Sequence, residues 1–553
     1  MAKNDWYKSL TVYQIWPRSF CDGNGDGIGD LQGVLGKLDY LQELGIDCIW
    51  FSPLYCSPNA DFGYDISDYR SISPEYGDLN LFRQVLDGAH RRGMRVIMDL
   101  VVNHTSDEHE WFQKGRDKNS EYHDYYIWRD GRGKRPPNNW SSLFEGKAWE
   151  YDEEVGQYYL HIFAKKQPDL NMDNPAVRQE VKDIMRFWLD MGVDGFREDV
   201  ITFISKREGL PNGFPIPQAC GMEHYMDGPR IHEYLTEFRR VLKEYDCFVV
   251  GEAPMMKPEK ALNYITKGER QELDLMFHFQ HMEADCLFTD FMRRPFDLRK
   301  LKKAFSTWNH ALAGKAWNAW YLENHDYPRI ISRYGSERYR TESGKMLANC
   351  LLLQPGTPFI YQGQEIGMLN IDLPRVEDYQ DVMSVNNYRT LRLLGFSDEK
   401  ARARICQTTR ANARTPVQWN DSENAGFTTG KPWMPVNPNY TRINVKAEQE
   451  NPDSILNHYK AAIAFRKNHP VAIFGDYQEY DEKNPDVYVY ARELEGKRLL
   501  VICSFTDKSV GFWAPEGFDL TKGRLVLNNY PDNKVHGNGF TARPYETRVY
   551  YYE

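Results

Sequence analysis

The sequence predicts an α/β fold, a (β/α)8 barrel with an inserted subdomain after its third strand and a C-terminal antiparallel β-domain. Three observations carry this. Eight short apolar runs alternate with helical patterns through most of the 553 residues, the signature of strands that pair in parallel through helical crossovers. The stretch 104–173, rich in Trp, Tyr, Asn and Gly, is too long for a structureless connection. Beyond about residue 470 the pattern becomes one of alternating apolar and polar positions, which reads as antiparallel strands.

Taken in order, the barrel strands fall at 11–15, 48–51, 94–100, 195–199, 248–250, 273–279, 317–322 and 357–361. Asp78 is placed to cap a helix that stops at Gly93. Asn174 and Pro175 open another that ends at Gly192, with proline where a missing N–H costs nothing. A second long insertion follows the eighth strand, over 366–427, and the last barrel helix lies at 454–467. Strands at 487–491, 499–503 and 547–552 belong to the terminal domain. The expected division is 1–103 with 174–470 for the barrel, 104–173 for the insertion and 471–553 for the β-domain. No internal repeat is present.

A formal charge of −10 argues against a nucleic-acid partner, which requires basic faces. Nine cysteines without a C-x-x-C pair suit reduced thiols, not a disulfide framework or zinc site. The N-terminus lacks an apolar signal core, and no apolar run is long enough to span a bilayer. These features predict a soluble cytoplasmic protein, a monomer or weak dimer, with a small sugar as partner and no membrane.

In such a barrel, chemistry gathers at the C-terminal ends of the strands. Arg197 and Asp199 share one face of the fourth strand by alternation, and the guanidinium is expected to keep Asp199 ionised, ready to attack an anomeric carbon. Glu252 closes the fifth strand between small neighbours, as a general acid does. His325 and Asp326 follow the seventh, where a carboxylate stabilises an oxocarbenium-like charge. Asp61, Tyr64 and His104 follow strands two and three and offer hydroxyl acceptors and a stacking ring. Each position taken alone also reads as an ordinary turn or ion pair. In Asp22-Gly-Asn-Gly-Asp-Gly-Ile-Gly-Asp30, the residues Asp22, Asn24, Asp26, Ile28 and Asp30 hold the positions of a calcium loop, but Gly33 stands where the bidentate glutamate belongs.

These motifs in this order resemble glycoside hydrolase family 13, the alpha-amylase family, and most closely its oligo-1,6-glucosidase and dextran glucosidase branch. The resemblance rests on Asp99-Leu-Val-Val-Asn-His104, Gln167-Pro-Asp-Leu-Asn171, Gly195-Phe-Arg-Glu-Asp-Val200, Gly251-Glu252, Glu323-Asn-His-Asp326, Tyr361-Gln-Gly363 and Asn412-Ala-Arg-Thr-Pro416. It implies a retaining, exo-acting α-glucosidase with Asp199 as nucleophile, Glu252 as acid/base and Asp326 as transition-state stabiliser. It also implies a glucose pocket of Asp61, Tyr64, His104, Arg197, His325 and Arg414, and a structural Ca2+ at Asp22, Asn24, Asp26, Ile28 and Asp30. Val200, directly after the nucleophile, goes with α-1,6 linkages in that branch. Isomaltose, isomaltulose and short isomalto-oligosaccharides are therefore the expected substrates. Trehalose-6-phosphate hydrolysis, α-1,4-glucosidase activity and sucrose isomerisation are the alternatives within the family, and a non-catalytic scaffold the alternative outside it. Glu198, Phe62, Met172, Tyr327, Gln364 and Met383 depart from the branch's usual pattern.

Overall fold

The structure, a computed structural model, describes residues 5–144, 146–216, 219–268, 271–287 and 291–553. Eight strands form one parallel sheet: Val12–Ile15 (β1), Cys48–Phe51 (β2), Arg95–Leu100 (β3), Gly195–Glu198 (β4), Phe248–Glu252 (β5), Leu275–Phe277 (β6), Ala319–Tyr321 (β7) and Thr357–Tyr361 (β8). Their order is β6-β5-β4-β3-β2-β1-β8-β7, the neighbour sequence of a (β/α)8 barrel. Every residue in these strands except Arg95 is buried, as a parallel sheet covered on both faces requires.

The chain divides into two compact units. The first holds Trp50–Met256 and Lys260–Phe277. Within it β3, β4, β5 and β6 pair in succession, and the register sets Asp99 and Val250 on either side of Arg197. The helix Leu79–Arg91 starts at Asp78, whose carboxylate accepts the Leu81 N–H at 2.8 Å. The helix Pro175–Asp190 starts at Asn174, which accepts from Ala176 at 2.9 Å. The insertion contributes a three-stranded antiparallel sheet of Trp128–Arg129, Gln157–Leu160 and Trp149–Asp152. Its apolar side chains cluster with Val200, Phe203, Leu210 and Tyr225.

The second unit holds Asp5–Ile49, Lys257–Glu259 and His278–Glu553. Within it β1 pairs with β8 and β8 with β7. The stretch after β8 carries the helices Val382–Leu393, Asp398–Thr408 and Ala411–Arg414. Ser454 caps the helix Ile455–Asn468 through the Asn457 N–H at 3.1 Å. Beyond it Asp476–Tyr480 (β9), Val487–Leu494 (β10), Lys497–Ser504 (β11), Arg524–Asn528 (β12) and Thr547–Tyr552 (β13) form an antiparallel sheet in the order β9-β10-β11-β13-β12. Its core is Val487, Val489, Leu500, Ile502 and aromatic neighbours such as Phe512, Phe540 and Tyr550.

Several barrel-strand ends shift by one or two residues from the sequence reading, and two of these shifts bear on the site. The fifth strand runs on to Glu252, because that residue still pairs with Phe277 of β6. The fourth stops at Glu198, because Val200 has turned into the left-handed region at φ 35°. All nine cysteines are free. Among the described residues no helix is long and apolar enough to cross a membrane.

Candidate active site

In the first unit one buried guanidinium organises the ends of three strands. Arg197 Nη1 donates to Asp99 Oδ1 at 2.7 Å and to Asp199 Oδ1 at 2.6 Å, while Nη2 donates to Glu252 Oε2 at 2.6 Å. Alternation along β4 brings Arg197 and Asp199 to one face, and the flanking strands supply Asp99 and Glu252. Asp99 Oδ2 also accepts from Tyr64 Oη at 3.1 Å and from Trp50 Nε1 at 3.4 Å.

One cation facing three carboxyl groups does not balance them. Burial drives the Asp199 carboxyl well above the usual carboxylate range. Arg197 opposes that shift, and the like charges of Glu252 and Asp99 add to it. The guanidinium expected beside Asp199 is present, and it is shared with Asp99 and Glu252.

Val200 takes φ 35° and ψ 39°, an uncommon conformation for a β-branched residue and a local strain. The turn aims its N–H at Glu252 Oε2, at 3.1 Å. The Val200 side chain packs into the insertion's apolar cluster, so it anchors the turn between Asp199 and the insertion.

His104 is buried, and burial pulls its imidazole down to about 4, so the ring is neutral at pH 7. Gln167 Nε2 lies 3.1 Å from His104 Nε2 and donates to Asp61 Oδ2 at 3.2 Å. One amide from the insertion thus ties together two of the expected sugar-binding residues. Lys206 pairs with Asp169 at 2.7 Å and donates to Asn103 Oδ1 at 2.8 Å, bracing the same corner.

In the second unit Asp326 is the centre. Its Oδ1 accepts from Arg414 Nη2 at 3.0 Å and Arg410 Nη1 at 3.4 Å, and its Oδ2 lies 3.1 Å from His325 Nε2. Burial pushes the Asp326 carboxyl up, but His325, Arg414 and Arg410 outweigh it and hold it well below the usual range. Gln14 Nε2 sits 2.7 Å from His325 Nδ1, and Trp16 stacks on the ring at 5.3 Å and 15°. Arg414 lies over the other ring system of the group, 4.6 Å from the Trp16 centroid. Arg410 is in turn held by Asp381 at 2.8 Å.

Structure adds Trp50, Asp99, Gln167, Gln14, Trp16, Arg410 and Asp381 to the predicted residues. Gln14 and Trp16 had a signal, since they share a face at the end of β1. Of the departing residues, Gln364 is buried and spent on Tyr459 Oη and the Tyr361 N–H, which makes it structural.

The loop from Asp22 to Asp30 is folded by its own side chains. Asp22 accepts the N–H groups of Asn24, Gly25 and Gly27 at 3.0, 2.7 and 2.8 Å. Asp30 caps the helix Leu31–Leu35 through Gly33 N at 2.6 Å and also accepts from Gly23. Asp26 Oδ1 accepts from Ile28 N at 2.9 Å. The donor set, all oxygen, suits a hard cation. Among the described residues, however, no three His, Cys, Asp or Glu side chains converge as a metal cage.

Known proteins bear on this geometry. The model of the alpha-amylase catalytic domain matches residues 14–475. The chain is 50% identical to an oligo-1,6-glucosidase of Parageobacillus thermoglucosidasius over 99% of its own length and 98% of the relative's. Two crystal structures superpose with coverage of 99% on both sides. One is a trehalose-6-phosphate hydrolase of Bacillus licheniformis at 44% identity and TM-score 0.93; the other is an isomaltulose synthase of Klebsiella sp. LX3 at 40% and 0.95.

Proposed function

Because the chain belongs to the alpha-amylase family and is a glycoside hydrolase, we propose that it releases terminal non-reducing α-1,6-linked glucose from isomaltose, isomaltulose and short isomalto-oligosaccharides, with retention. The observation that carries this is the single guanidinium bonded to both Asp199 and Glu252. Two carboxylates within one guanidinium fork favour the short separation of a retaining pair over the wider gap that an interposed water needs. The full-length similarity to an oligo-1,6-glucosidase and the presence of Val200 support the α-1,6 linkage.

In this reading Glu252 protonates the glycosidic oxygen as Asp199 attacks the anomeric carbon. The leaving sugar departs with that proton. Glu252, now ionised, takes a proton from water, and the resulting hydroxide equivalent displaces Asp199. The ionised Asp326 carries the electrostatic load of the oxocarbenium-like transition state. Arg197 holds Asp199 and Glu252 in register. Asp61, Tyr64, His104, His325 and Arg414 grip the hydroxyls of the terminal glucose.

Rates on isomaltose, isomaltulose, maltose, sucrose and trehalose 6-phosphate test the reading. The expected order places isomaltose and isomaltulose at least tenfold above the rest. A maximum on trehalose 6-phosphate, or transfer products from sucrose, rejects it.

The loop from Asp22 to Asp30 is assigned a structural Ca2+, held by Asp22, Asn24, Asp26, Ile28 and Asp30. Addition of a chelator should lower the unfolding temperature, and an unchanged melt rejects the ion. The nine free thiols support a cytoplasmic, reducing location, and fractionation of cells tests it. The working form is assigned as a monomer or weak dimer, which sedimentation at working concentration tests.

A further inference from the structure

Glu198 lies between Arg197 and Asp199, yet alternation turns it to the other face of β4. It is 1% exposed, and its Oε2 is buried with no hydrogen-bond partner. Among the described residues it forms no ion pair. An ionised carboxylate without a partner in such a place is too costly to persist, so the folded chain holds it as the neutral acid.

What packs behind it explains why this matters. Across the ladder Glu198 faces Leu100 of β3 and Gly251 of β5, neither of them charged. The space over Gly251 is filled by Leu273 and Ile201, which stand 2.5 and 2.9 Å from where a Cβ would sit. The charged groups near Glu198 are Arg239, on the helix Ile231–Leu242, and Asp274, just ahead of β6. These two form a two-pronged buried pair at 2.8 and 2.9 Å, and Asp274 Oδ2 also accepts the Val249 N–H of β5 at 2.9 Å. Cys247 borders the same pair, and burial keeps its thiol neutral. The Arg239–Asp274 pair therefore fastens the strand that ends in Glu252.

We propose that Glu198 is a positioning residue for the reaction: as a neutral acid it leaves the Arg239–Asp274 pair intact to hold β5, and on ionisation it draws Arg239 away and loosens the strand that carries Glu252. Burial pushes the Glu198 carboxyl up to about 8, with Asp274 adding to the shift and Arg239 opposing it. The switch thus falls on the alkaline side of neutrality. The proposal rests on the acid/base role given to Glu252 above.

The test compares the wild type with E198Q and E198M by kcat/KM against pH on a nitrophenyl α-glucoside. That leaving group needs little protonation, so loss of the proton on Glu252 does not set the alkaline limit. The unfolding midpoint is followed over the same pH range. The wild type should lose rate about tenfold per pH unit above about 8, and both variants should hold their rate at least one pH unit higher. Because the folded chain keeps a proton that the unfolded chain has lost, wild-type stability should fall as pH rises from 4.5 to about 8. The gap to E198Q should widen across that window and stay constant above it. An unchanged alkaline limit in both variants overturns the proposal, and so does a gap independent of pH. Failure of E198Q to fold also overturns it, since an amide replaces a neutral acid without change of shape. A wild type with no glucosidase activity defeats the functional reading instead, and leaves the stability curves to judge Glu198.

Discussion

Around Arg197 three carboxyl groups crowd one guanidinium, whereas around Asp326 two guanidiniums and an imidazole converge on one carboxylate. The same residue type is driven in opposite directions by the two settings. Burial and like charges push the Asp199 carboxyl up, while His325, Arg414 and Arg410 pull that of Asp326 down. Burial differs in the same sense: the Asp199 side chain is 9% exposed and that of Asp326 is 36%. A retaining hydrolase needs both kinds of site, one where a carboxyl exchanges protons with substrate and water beside a nucleophile and one where a fixed negative charge faces the developing cation.

The comparison breaks most completely at Asp199, the proposed nucleophile. Asp199→Asn should lower kcat on a nitrophenyl α-glucoside by roughly 10^4-fold or more, as removal of a covalent nucleophile does. Residual turnover within tenfold of wild type would end its assignment. Asp326→Asn should cost about 10^2- to 10^3-fold in kcat, the scale of one preorganised electrostatic group. It should leave the acid limb of the pH profile where it was, because Asp326 is already ionised throughout. A large shift of that limb would show that Asp326 takes part in the proton traffic.

A third change sharpens the contrast. The raised Asp199 must lose its proton before attack, so the acid limb of kcat/KM should lie above the ordinary carboxylate range. Asp99→Asn removes one of the like charges that raise it. The limb should then move down, with a loss of about tenfold or less at the optimum. A limb that stays put, or moves up, would mean the Asp99 charge does not act on Asp199. The smallest effect is expected from Val200→Ala. The ratio of isomaltose to maltose turnover should fall by about tenfold or less, since one or two methyl groups discriminate by only ~1–3 kcal/mol. An unchanged ratio would detach linkage preference from this turn.

Much of this was legible in the chain itself. The eight strands announced themselves through short apolar runs. The shared face of Arg197 and Asp199 followed from a period of two. The helix starts at Asp78 and Asn174 followed from capping chemistry. What could not be read depends on residues distant in sequence that folding brings together. The partners that decide the charge of Asp199 lie 100 residues before it, at Asp99, and 53 after it, at Glu252. No local pattern states that one arginine serves all three. The left-handed turn at Val200 was equally hidden, because valine is among the last residues that φ 35° would suggest. His325 could be singled out from its motif, but its supports could not, since Gln14 comes from β1, 311 residues away.

The most direct test is to incubate the enzyme with a fluorinated glucosyl donor that forms the glycosyl-enzyme faster than it is hydrolysed, then map the modified peptide by mass spectrometry. The account predicts one hexose-derived adduct, on the carboxylate of Asp199. An adduct on any other residue, or none while the donor is turned over with inversion, would contradict it.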